Sequence, residues 1–169
     1  MKTNKNIVLI GMPGSGKTTI GYLISKKLNM KFVDMDKYIE EKENKSISDM
    51  FDLGEEYFRN QETACAKELS NYNSTVIATG GGIVKKQENM DYLKNNSLII
   101  FLNRPIENII SDIDINSRPL LKENIENLHK LYNNRFHLYK KYCDLEILND
   151  KTIDEAVNCI VNALEKLQD

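Results

Sequence analysis

A glycine-rich octapeptide, Gly-Met-Pro-Gly-Ser-Gly-Lys-Thr, begins at Gly11. It fits the phosphate-binding pattern G-x-x-x-x-G-K-[S/T], in which glycines allow backbone N–H groups to turn inward around phosphate oxygens without a Cβ clash. The sequence predicts a short apolar strand over Asn6–Ile10 before this loop and an amphipathic helix over Thr18–Leu28 after it. A chance glycine-rich turn would lack that context, and the helix would direct its positive N-terminus at the same oxygens. We therefore predict a nucleoside triphosphate site.

The residues of this loop have separate parts in the predicted binding of ATP. Backbone N–H groups around Gly14, Ser15 and Gly16 would surround the phosphates, and Thr19 is assigned to the same site. Lys17 would supply a mobile positive charge for the β- and γ-phosphates, and the Thr18 hydroxyl is a candidate ligand for Mg²⁺. The motif alone does not identify the group that receives the phosphate.

Strand-like and helical patterns alternate along the chain. Further short strands are predicted over residues 31–34, 75–79, 97–102 and 145–148, and helices over residues 36–43, 55–70 and 124–142. Capping boxes at Ser46–Asp49 and Thr152–Glu155 indicate two more helix starts, Asp36 is a candidate N-cap, and Pro105 is expected in the first turn of another helix. This alternation predicts an α/β fold with a parallel sheet covered by helices on both faces. Without a linker or an internal repeat, residues 1–169 form a single predicted domain.

Composition disfavours several classes of function. The net charge is −2, so no global basic field would hold nucleic acid or an anionic membrane, and a nucleic-acid translocase is disfavoured. No stretch approaches the ~18 consecutive apolar residues of a transmembrane helix. The polar N-terminus does not resemble a signal peptide, and the unclustered Cys65, Cys143 and Cys159 favour a reducing compartment. We expect a cytoplasmic protein and a monomer.

Two carboxylates follow the second predicted strand, in the segment Asp34-Met35-Asp36. Ligands of open α/β sheets gather outside the carboxyl ends of the strands. One carboxylate there could hold Mg²⁺, directly or through water, while the other accepts a proton from an acceptor hydroxyl. The alternative is that Asp36 only caps a helix.

Arg135 interrupts an apolar seam on the predicted helix over residues 124–142. The other members of the seam recur at steps of three and four residues and are Leu128, Leu131, Leu138 and Tyr142. A guanidinium there is costly without an anionic partner, and no acidic residue lies one turn away on either side. Three outcomes stay open: a distant carboxylate, a bound anionic ligand, or a side chain that extends to the surface.

Three further features have both a plain and a functional interpretation. Arg59 lies one turn before Glu62, which favours an ordinary surface ion pair. Residues 80–82, all glycine, follow a strand directly, so they form either a flexible turn or a bare backbone that a ligand can approach closely. Arg118 precedes Pro119 after a polar run, and it belongs either to an ordinary loop or to a mobile lid.

Together these segments resemble the shikimate kinase family, from Ile7 to about Leu148. The pieces occur in the family's order and approximate spacing. They are residues 11–18, Asp34-Met35-Asp36, Phe58-Arg59-Asn60-Gln61-Glu62, Ala78-Thr79-Gly80-Gly81-Gly82, Arg118-Pro119-Leu120-Leu121, and Arg135 with Tyr139. The P-loop alone is shared by many unrelated enzymes, whereas the combination is far more specific.

The resemblance implies a three-layer P-loop kinase fold around five parallel strands, with a lid at about residues 112–124 and an acceptor-binding helical region at about residues 34–62. It implies transfer of the γ-phosphate of ATP to the 3-hydroxyl of shikimate, with Mg²⁺, in chorismate and aromatic amino acid biosynthesis. The residues that it implies for shikimate binding are Asp36, Phe58, Arg59, Glu62, Gly80, Gly81, Gly82, Arg118 and Arg135.

Individual roles also follow from the resemblance. Arg59 and Arg135 would hold the carboxylate of shikimate, Asp36 would bind its ring hydroxyls, Glu62 would orient Arg59, and Phe58 would line the pocket. The implied catalytic residues are Lys17, Asp36 and Arg118, of which Arg118 would also contact ATP; the implied metal ligands are Thr18 and Asp34.

One stretch departs from the family pattern. Many members carry an additional arginine at the adenine side of the lid, whereas residues 110–117 of this chain contain no basic residue. Lys151 is a candidate for the other side of the adenine site. Two alternatives stay open: the same chemistry on gluconate or a nucleoside monophosphate, and a nucleotide-binding regulatory module without acceptor chemistry. The intact Lys17, Asp36 and Arg118 disfavour the module.

Overall fold

The computed structural model describes residues 5–112 and 121–167, without the side chains of residues 121–124. Within these ranges, five strands form one sheet in the order β2-β3-β1-β4-β5, and every neighbouring pair is parallel. The strands are β1 Asn6–Ile10, β2 Lys31–Asp34, β3 Thr75–Ala78, β4 Ser97–Asn103 and β5 Leu145–Leu148. Because all strands run the same way, the loops that follow them lie along one edge of the sheet.

Eight helices surround the sheet in the described part of the chain. They are α1 Lys17–Leu28, α2 Met35–Glu43, α3 Ile47–Asp52, α4 Glu55–Leu69, α5 Gln87–Lys94, α6 Ile106–Ser111, α7 Leu121–Tyr142 and α8 Ile153–Lys166, with a 3₁₀ turn at Ile83–Lys85. One apolar core contains Ile20 of α1 and Ile160 of α8, and a second contains Leu69 of α4 and Tyr139 of α7. The predicted three-layer α/β fold is confirmed.

Most of the predicted strands and helix starts are confirmed. The predicted bounds of β1, β2 and β5 agree with the structure, and both capping boxes form. The N-cap prediction for Asp36 is wrong, because Asp34 caps α2 by accepting a hydrogen bond from the Lys37 N–H at 3.2 Å. Asp36 instead lies in the first turn of α2, so its carboxylate is not used as the cap.

Other element ends differ by a few residues. Pro105 is the N-cap of α6 rather than a member of its first turn. The long helix starts at Leu121 instead of Asn124, and α5 was not predicted. In the described ranges, no helix combines the length and apolar character needed to cross a bilayer. Most of the predicted lid, including Arg118, lies outside the described residues.

Candidate active site

The loop after β1 adopts a conformation that its glycines make possible. Gly14 has φ +78° and Gly16 has φ +89°, a left-handed region that is strained for other residues. Gly16 is also the N-cap of α1, and its carbonyl oxygen accepts the Ile20 N–H at 2.9 Å. The first N–H groups of a helix have no partner within the helix, so the start of α1 presents free donors to an anion.

The side chain of Lys17 lies back against its own loop. Its Nζ donates to the carbonyl oxygens of Gly11 at 2.9 Å and Met12 at 2.7 Å. Burial lowers the pKa of Lys17 to about 8, and the nearby Asp36 and Asp34 carboxylates only partly oppose this. The ammonium is therefore held inside the phosphate loop by neutral acceptors, which a phosphate could replace with a stronger charge-assisted bond.

Thr18 and Asp34 bring two oxygens together at the edge of the sheet. Thr18 Oγ1 donates a hydrogen bond to Asp34 Oδ2 at 2.6 Å. Residues 5–112 and 121–167 contain no cluster of three or more His, Cys, Asp or Glu side chains suited to a metal. Mg²⁺ commonly takes only one or two protein oxygens, with water and substrate phosphates completing its shell. A hydroxyl and one carboxylate beside the phosphate loop fit that mode of binding.

A cavity of about 360 Å³ joins this loop to the acceptor residues. Its walls on the loop side are Pro13, Gly14, Gly16, Lys17, Thr18 and Thr19, and its other walls are Asp36, Thr79, Gly80 and Gly81. Burial raises the pKa of Asp36, and the neighbouring Asp34 carboxylate adds to this, while Lys17 opposes it. The half-buried Asp36 carboxylate thus lines the same cavity as Lys17.

Arg59 and Glu62 form a buried ion pair on α4. Arg59 Nη1 donates to Glu62 Oε2 at 2.8 Å, and the exposed fractions of the two residues are 9% and 1%. The interpretation as a surface pair is therefore wrong, because helical spacing alone does not tell which face is covered. The guanidinium also lies near two rings, 5.8 Å from the centroid of Phe51 and 5.2 Å from that of Phe58. Phe51 was not identified from the sequence.

The second carboxylate oxygen of Glu62, Oε1, makes no hydrogen bond to the described part of the protein. This oxygen is also buried. Burial raises the pKa of Glu62, even though the adjacent Arg59 favours the charged form. Buried polar atoms in folded proteins are nearly always satisfied, so a water molecule or a ligand is expected at this oxygen.

The three consecutive glycines form the junction between these groups. A Cβ on Gly80 would lie 2.8 Å from Asp36 Oδ1, and a Cβ on Gly81 would lie 2.7 Å from Pro13 Cδ. A Cβ on Gly82 would lie 2.4 Å from Arg59 Nη1. We expected the bare backbone to admit a ligand, and the structure gives a second reason for glycine: each position accommodates a neighbouring group of the protein.

Arg135 and Tyr139 approach the same junction from α7. Tyr139 is fully buried, its hydroxyl donates to the Gly81 carbonyl oxygen at 2.6 Å, and its ring stacks on Phe101 with centroids 5.1 Å apart. Arg135 is half-buried, and its side chain lies close to that of Tyr139. No carboxylate among the described residues lies within ion-pair distance of Arg135. Its charge nevertheless acts on Lys17 and Glu62, so it lies near both sides of the site.

Comparison with known proteins identifies the family of the chain. Residues 13–165 match the family model described as shikimate kinase. The chain belongs to the shikimate kinase family. A shikimate kinase of Clostridium botulinum (strain Alaska E43 / Type E3) is 56% identical over 151 residues, which are 89% of this chain and 92% of the relative. A shikimate kinase of Clostridium beijerinckii is 48% identical over 152 residues, 90% of each chain.

A solved relative agrees with the fold at the level of the whole chain. The structure described as shikimate kinase from Acinetobacter baumannii in complex with shikimate superposes with a TM-score of 0.86 at 33% identity. The match covers 97% of this chain and 95% of that one. Membership of the shikimate kinase family therefore rests on sequence and fold together.

Some predicted residues of this family member lie away from the cavity or outside the described ranges. Arg118 is outside them, so its contacts stay a prediction. Lys151, a candidate for the adenine site, has a side chain that is 68% exposed and lies 3.9 Å from Glu155. The sequence did not single out Arg104 or Asn149, yet both contact carbonyl oxygens of the phosphate loop. No local sequence pattern predicts these two contacts, because each residue reaches the loop from a distant part of the chain.

Proposed function

We propose that the protein transfers the γ-phosphoryl group of ATP to the 3-hydroxyl of shikimate. The observation that carries this proposal is the single cavity in which Lys17 and its loop face Asp36, Gly80 and Gly81. Membership of the shikimate kinase family supports the acceptor, as does the 33%-identical relative that was solved with shikimate.

The carboxylate of shikimate would be held by Arg59 and Arg135. Arg59 uses Nε for Glu55 and Nη1 for Glu62, which fixes the guanidinium and leaves Nη2 outside these bonds. Arg135 has no carboxylate partner among the residues described, so its charge is available for an anion. Planar guanidinium groups bind carboxylates with two parallel hydrogen bonds, which gives orientation as well as affinity. Glu62 would act here by holding Arg59 in place.

Asp36 would bind the reacting hydroxyl and accept its proton. Burial and the Asp34 carboxylate raise its pKa, so it is a stronger base than an exposed aspartate once it is ionised. A general base must lie within hydrogen-bond reach of the proton it takes, and the cavity gives Asp36 access to a ligand seated against Gly80. The proton would end on the Asp36 carboxylate as the oxygen forms its bond to phosphorus.

The charge on the transferring group would be stabilised by Lys17 and by N–H groups of the loop. The N–H groups at the start of α1 have no partner within the helix and would donate to the phosphates. Lys17 would exchange its bonds to the Gly11 and Met12 carbonyl oxygens for a bond to phosphate. Thr18 and Asp34 would hold Mg²⁺, which when bound neutralises charge on the phosphates. Arg118 and the lid at about residues 112–124 are proposed to complete this side and to exclude water.

A panel of acceptors tests the proposal. ADP release should rise sharply when shikimate is added to enzyme, MgATP and a coupled detection system, and should stay near background with gluconate or a nucleoside monophosphate. Turnover on one of those acceptors alone would favour the alternative kinases, since an arginine pair also binds other carboxylates and phosphates. Tight binding of ATP without turnover on any acceptor would favour a regulatory module. The monomeric state, the cytoplasmic location and the pathway stay predictions.

A further inference from the structure

Two side chains hold the phosphate loop from outside the cavity. Asn149, directly after β5, donates from Nδ2 to the Ser15 carbonyl oxygen at 3.0 Å. Arg104, directly after β4, donates from Nη1 to the Gly14 carbonyl oxygen at 3.3 Å. Neither residue belongs to the loop motif, and they reach it across 134 and 90 residues of sequence.

These contacts add to the hydrogen bonds that other groups make to the loop carbonyls. Lys17 occupies the oxygens of Gly11 and Met12, and the Ile20 N–H occupies that of Gly16. Of the three carbonyls in between, Arg104 holds that of Gly14 and Asn149 holds that of Ser15. A peptide group has its N–H and C=O on opposite sides, so a carbonyl fixed toward the protein directs the N–H of the same peptide the other way.

Asn149 acts on a peptide whose N–H belongs to the start of α1. The Ser15 carbonyl shares its peptide group with the Gly16 N–H, one of the donors at the start of α1. Asn149 is buried, with an exposed fraction of 6%, and its own N–H is bonded to the Asn103 carbonyl oxygen at 2.8 Å. Its Nδ2 would lie 3.5 Å from a Cβ placed on Gly16. The amide is therefore fixed against the back of the loop, with little freedom to turn away.

Arg104 acts on the preceding peptide and joins it to α6. The Gly14 carbonyl shares its peptide group with the Ser15 N–H, which donates to the Met12 carbonyl oxygen at 3.1 Å. Both ends of this peptide are thus held. Arg104 Nη2 also lies 2.7 Å from Asp112 Oδ2, just beyond the end of α6, so the guanidinium is itself anchored on the far side.

We propose that Asn149 and Arg104 are positioning residues of the nucleotide site, which hold the Ser15 and Gly14 carbonyls outward so that the loop is arranged for phosphate before ATP binds. This inference rests on the proposed function only in taking ATP as the ligand of the loop. Loss of either contact lets a peptide of the loop turn, so nucleotide binding weakens. The binding of shikimate, on the other wall of the cavity, stays as it was.

Asn149→Ala, with Asn103→Ala as the matched control, tests the inference. Asn103 ends β4, Asn149 directly follows the neighbouring β5, and both make side-chain hydrogen bonds, but the side chain of Asn103 bonds to Glu146 and not to the loop. The dissociation constants of MgATP and of shikimate are measured separately by calorimetry, beside the thermal midpoint. We expect roughly 2- to 10-fold weaker MgATP binding in Asn149→Ala, the usual worth of one hydrogen bond. Asn103→Ala should bind MgATP like the wild type, and shikimate affinity should be unchanged in both.

Three more variants separate geometry from charge and from folding. Arg104→Met should weaken MgATP binding to a similar degree, and Arg104→Lys, which keeps a donor, should recover part of the loss. Asn149→Leu fills the same space without a donor, so it should reproduce the effect of Asn149→Ala if the smaller residue fails to fold. Since Asn149 is neutral, a loss there cannot come from reduced attraction between charges.

The outcomes are distinct from those of the functional assay. Unchanged MgATP affinity in folded Asn149 variants would overturn the inference. Equal weakening of MgATP and shikimate together with a lower thermal midpoint would also overturn it, because that pattern indicates a merely structural role. Absence of wild-type turnover on shikimate would instead remove the proposed function and leave the affinity test standing.

Discussion

On the nucleotide side of the cavity, most carbonyls of the phosphate loop have hydrogen-bond partners within the protein, whereas on the acceptor side two charged groups lack a full set of partners. Carbonyls of the phosphate loop are held by Lys17, Arg104 and Asn149. On the acceptor side, Glu62 Oε1 has no partner and Arg135 has no carboxylate among the residues described. We infer that hydrogen bonds within the protein arrange the phosphate loop before a ligand binds. On the acceptor side, a ligand would supply the partners that Glu62 and Arg135 lack.

This contrast also explains how the two sides are encoded. The nucleotide side comes mainly from eight consecutive residues, which begin at Gly11, so a single motif identifies it. The acceptor side is assembled from the start of α2, from α4, from the three glycines after β3 and from α7. Its charged groups converge only because parallel strands bring their following loops to one edge.

The largest expected effect separates turnover from nucleotide binding. Asp36→Asn removes the proposed base but keeps its size, so kcat should fall by roughly 10²- to 10⁴-fold while MgATP affinity stays near that of the wild type. A coupled assay and calorimetry measure the two quantities. Asp91→Asn, at an exposed position of α5, is the matched control. Near-normal turnover of Asp36→Asn would take Asp36 out of the catalytic role.

The next largest effect is expected for Arg135, where a substitution should weaken shikimate binding without destabilising the fold. Arg135→Met should weaken shikimate binding by roughly 10- to 100-fold, because charge-assisted hydrogen bonds to a carboxylate are lost. The free energy of unfolding should stay equal or rise, since a guanidinium without a described carboxylate partner gives way to an apolar side chain on an apolar seam. Shikimate titrations and urea unfolding provide the two measurements.

Lys130→Met, an exposed change on the same helix, is the control for Arg135→Met. It should alter neither quantity by much. Clear destabilisation of Arg135→Met with unaltered shikimate binding would mean that Arg135 serves the fold and not the ligand.

Substitutions of the neighbouring Gly81 and Gly82 should affect different ligands, which tests whether the two sides of the cavity are separate. Gly82→Ala would place its Cβ 2.4 Å from Arg59 Nη1, so it should displace the guanidinium and raise the dissociation constant of shikimate by about tenfold or more. The Cβ added by Gly81→Ala would instead lie 3.2 Å from the backbone nitrogen of Pro13, so this variant should mainly weaken MgATP binding. Calorimetry measures the dissociation constants of shikimate and of MgATP for each variant. The same loss of both ligands in both variants would show that the two sides are not separate.

The smallest expected effect is a pH dependence on the nucleotide side. Lys17 has a pKa of about 8 in the ligand-free protein because it is buried, so its positive charge is present below that pH and is lost above it. The ratio kcat/KM for ATP reports the free enzyme, and it should fall about tenfold between pH 7 and pH 9. At saturating ATP, kcat/KM for shikimate should fall less, because bound phosphates keep Lys17 protonated. A flat profile for ATP would contradict the pKa assigned to Lys17.

Local signals in the sequence predicted much of the fold. The capping boxes at Ser46 and Thr152 and the strand at Asn6–Ile10 depend on neighbouring residues, and all three are confirmed. Asp36 is a candidate N-cap in the sequence because aspartate is common at that position, but Asp34 has the extended backbone that an N-cap requires. Short helices such as α5 have too few turns for a clear periodic pattern.

Contacts between distant segments were harder to predict. The resemblance to a known family named Arg59, Glu62 and Arg135 together, whereas helical spacing alone suggested a surface pair for the first two. Burial of that pair depends on Phe51 of α3 and on Gly82, and no local pattern shows that these residues pack against Arg59. Arg104 and Asn149 carry no motif, and only the order of strands β1, β4 and β5 brings them to the phosphate loop.

A crystal structure of the protein with shikimate and MgADP is the most direct measurement. It should show the carboxylate of shikimate between the guanidinium groups of Arg59 and Arg135, and its 3-hydroxyl within hydrogen-bond distance of Asp36 and directed at the phosphate loop. Shikimate bound elsewhere, or seated with its carboxylate away from both arginines, would contradict the account.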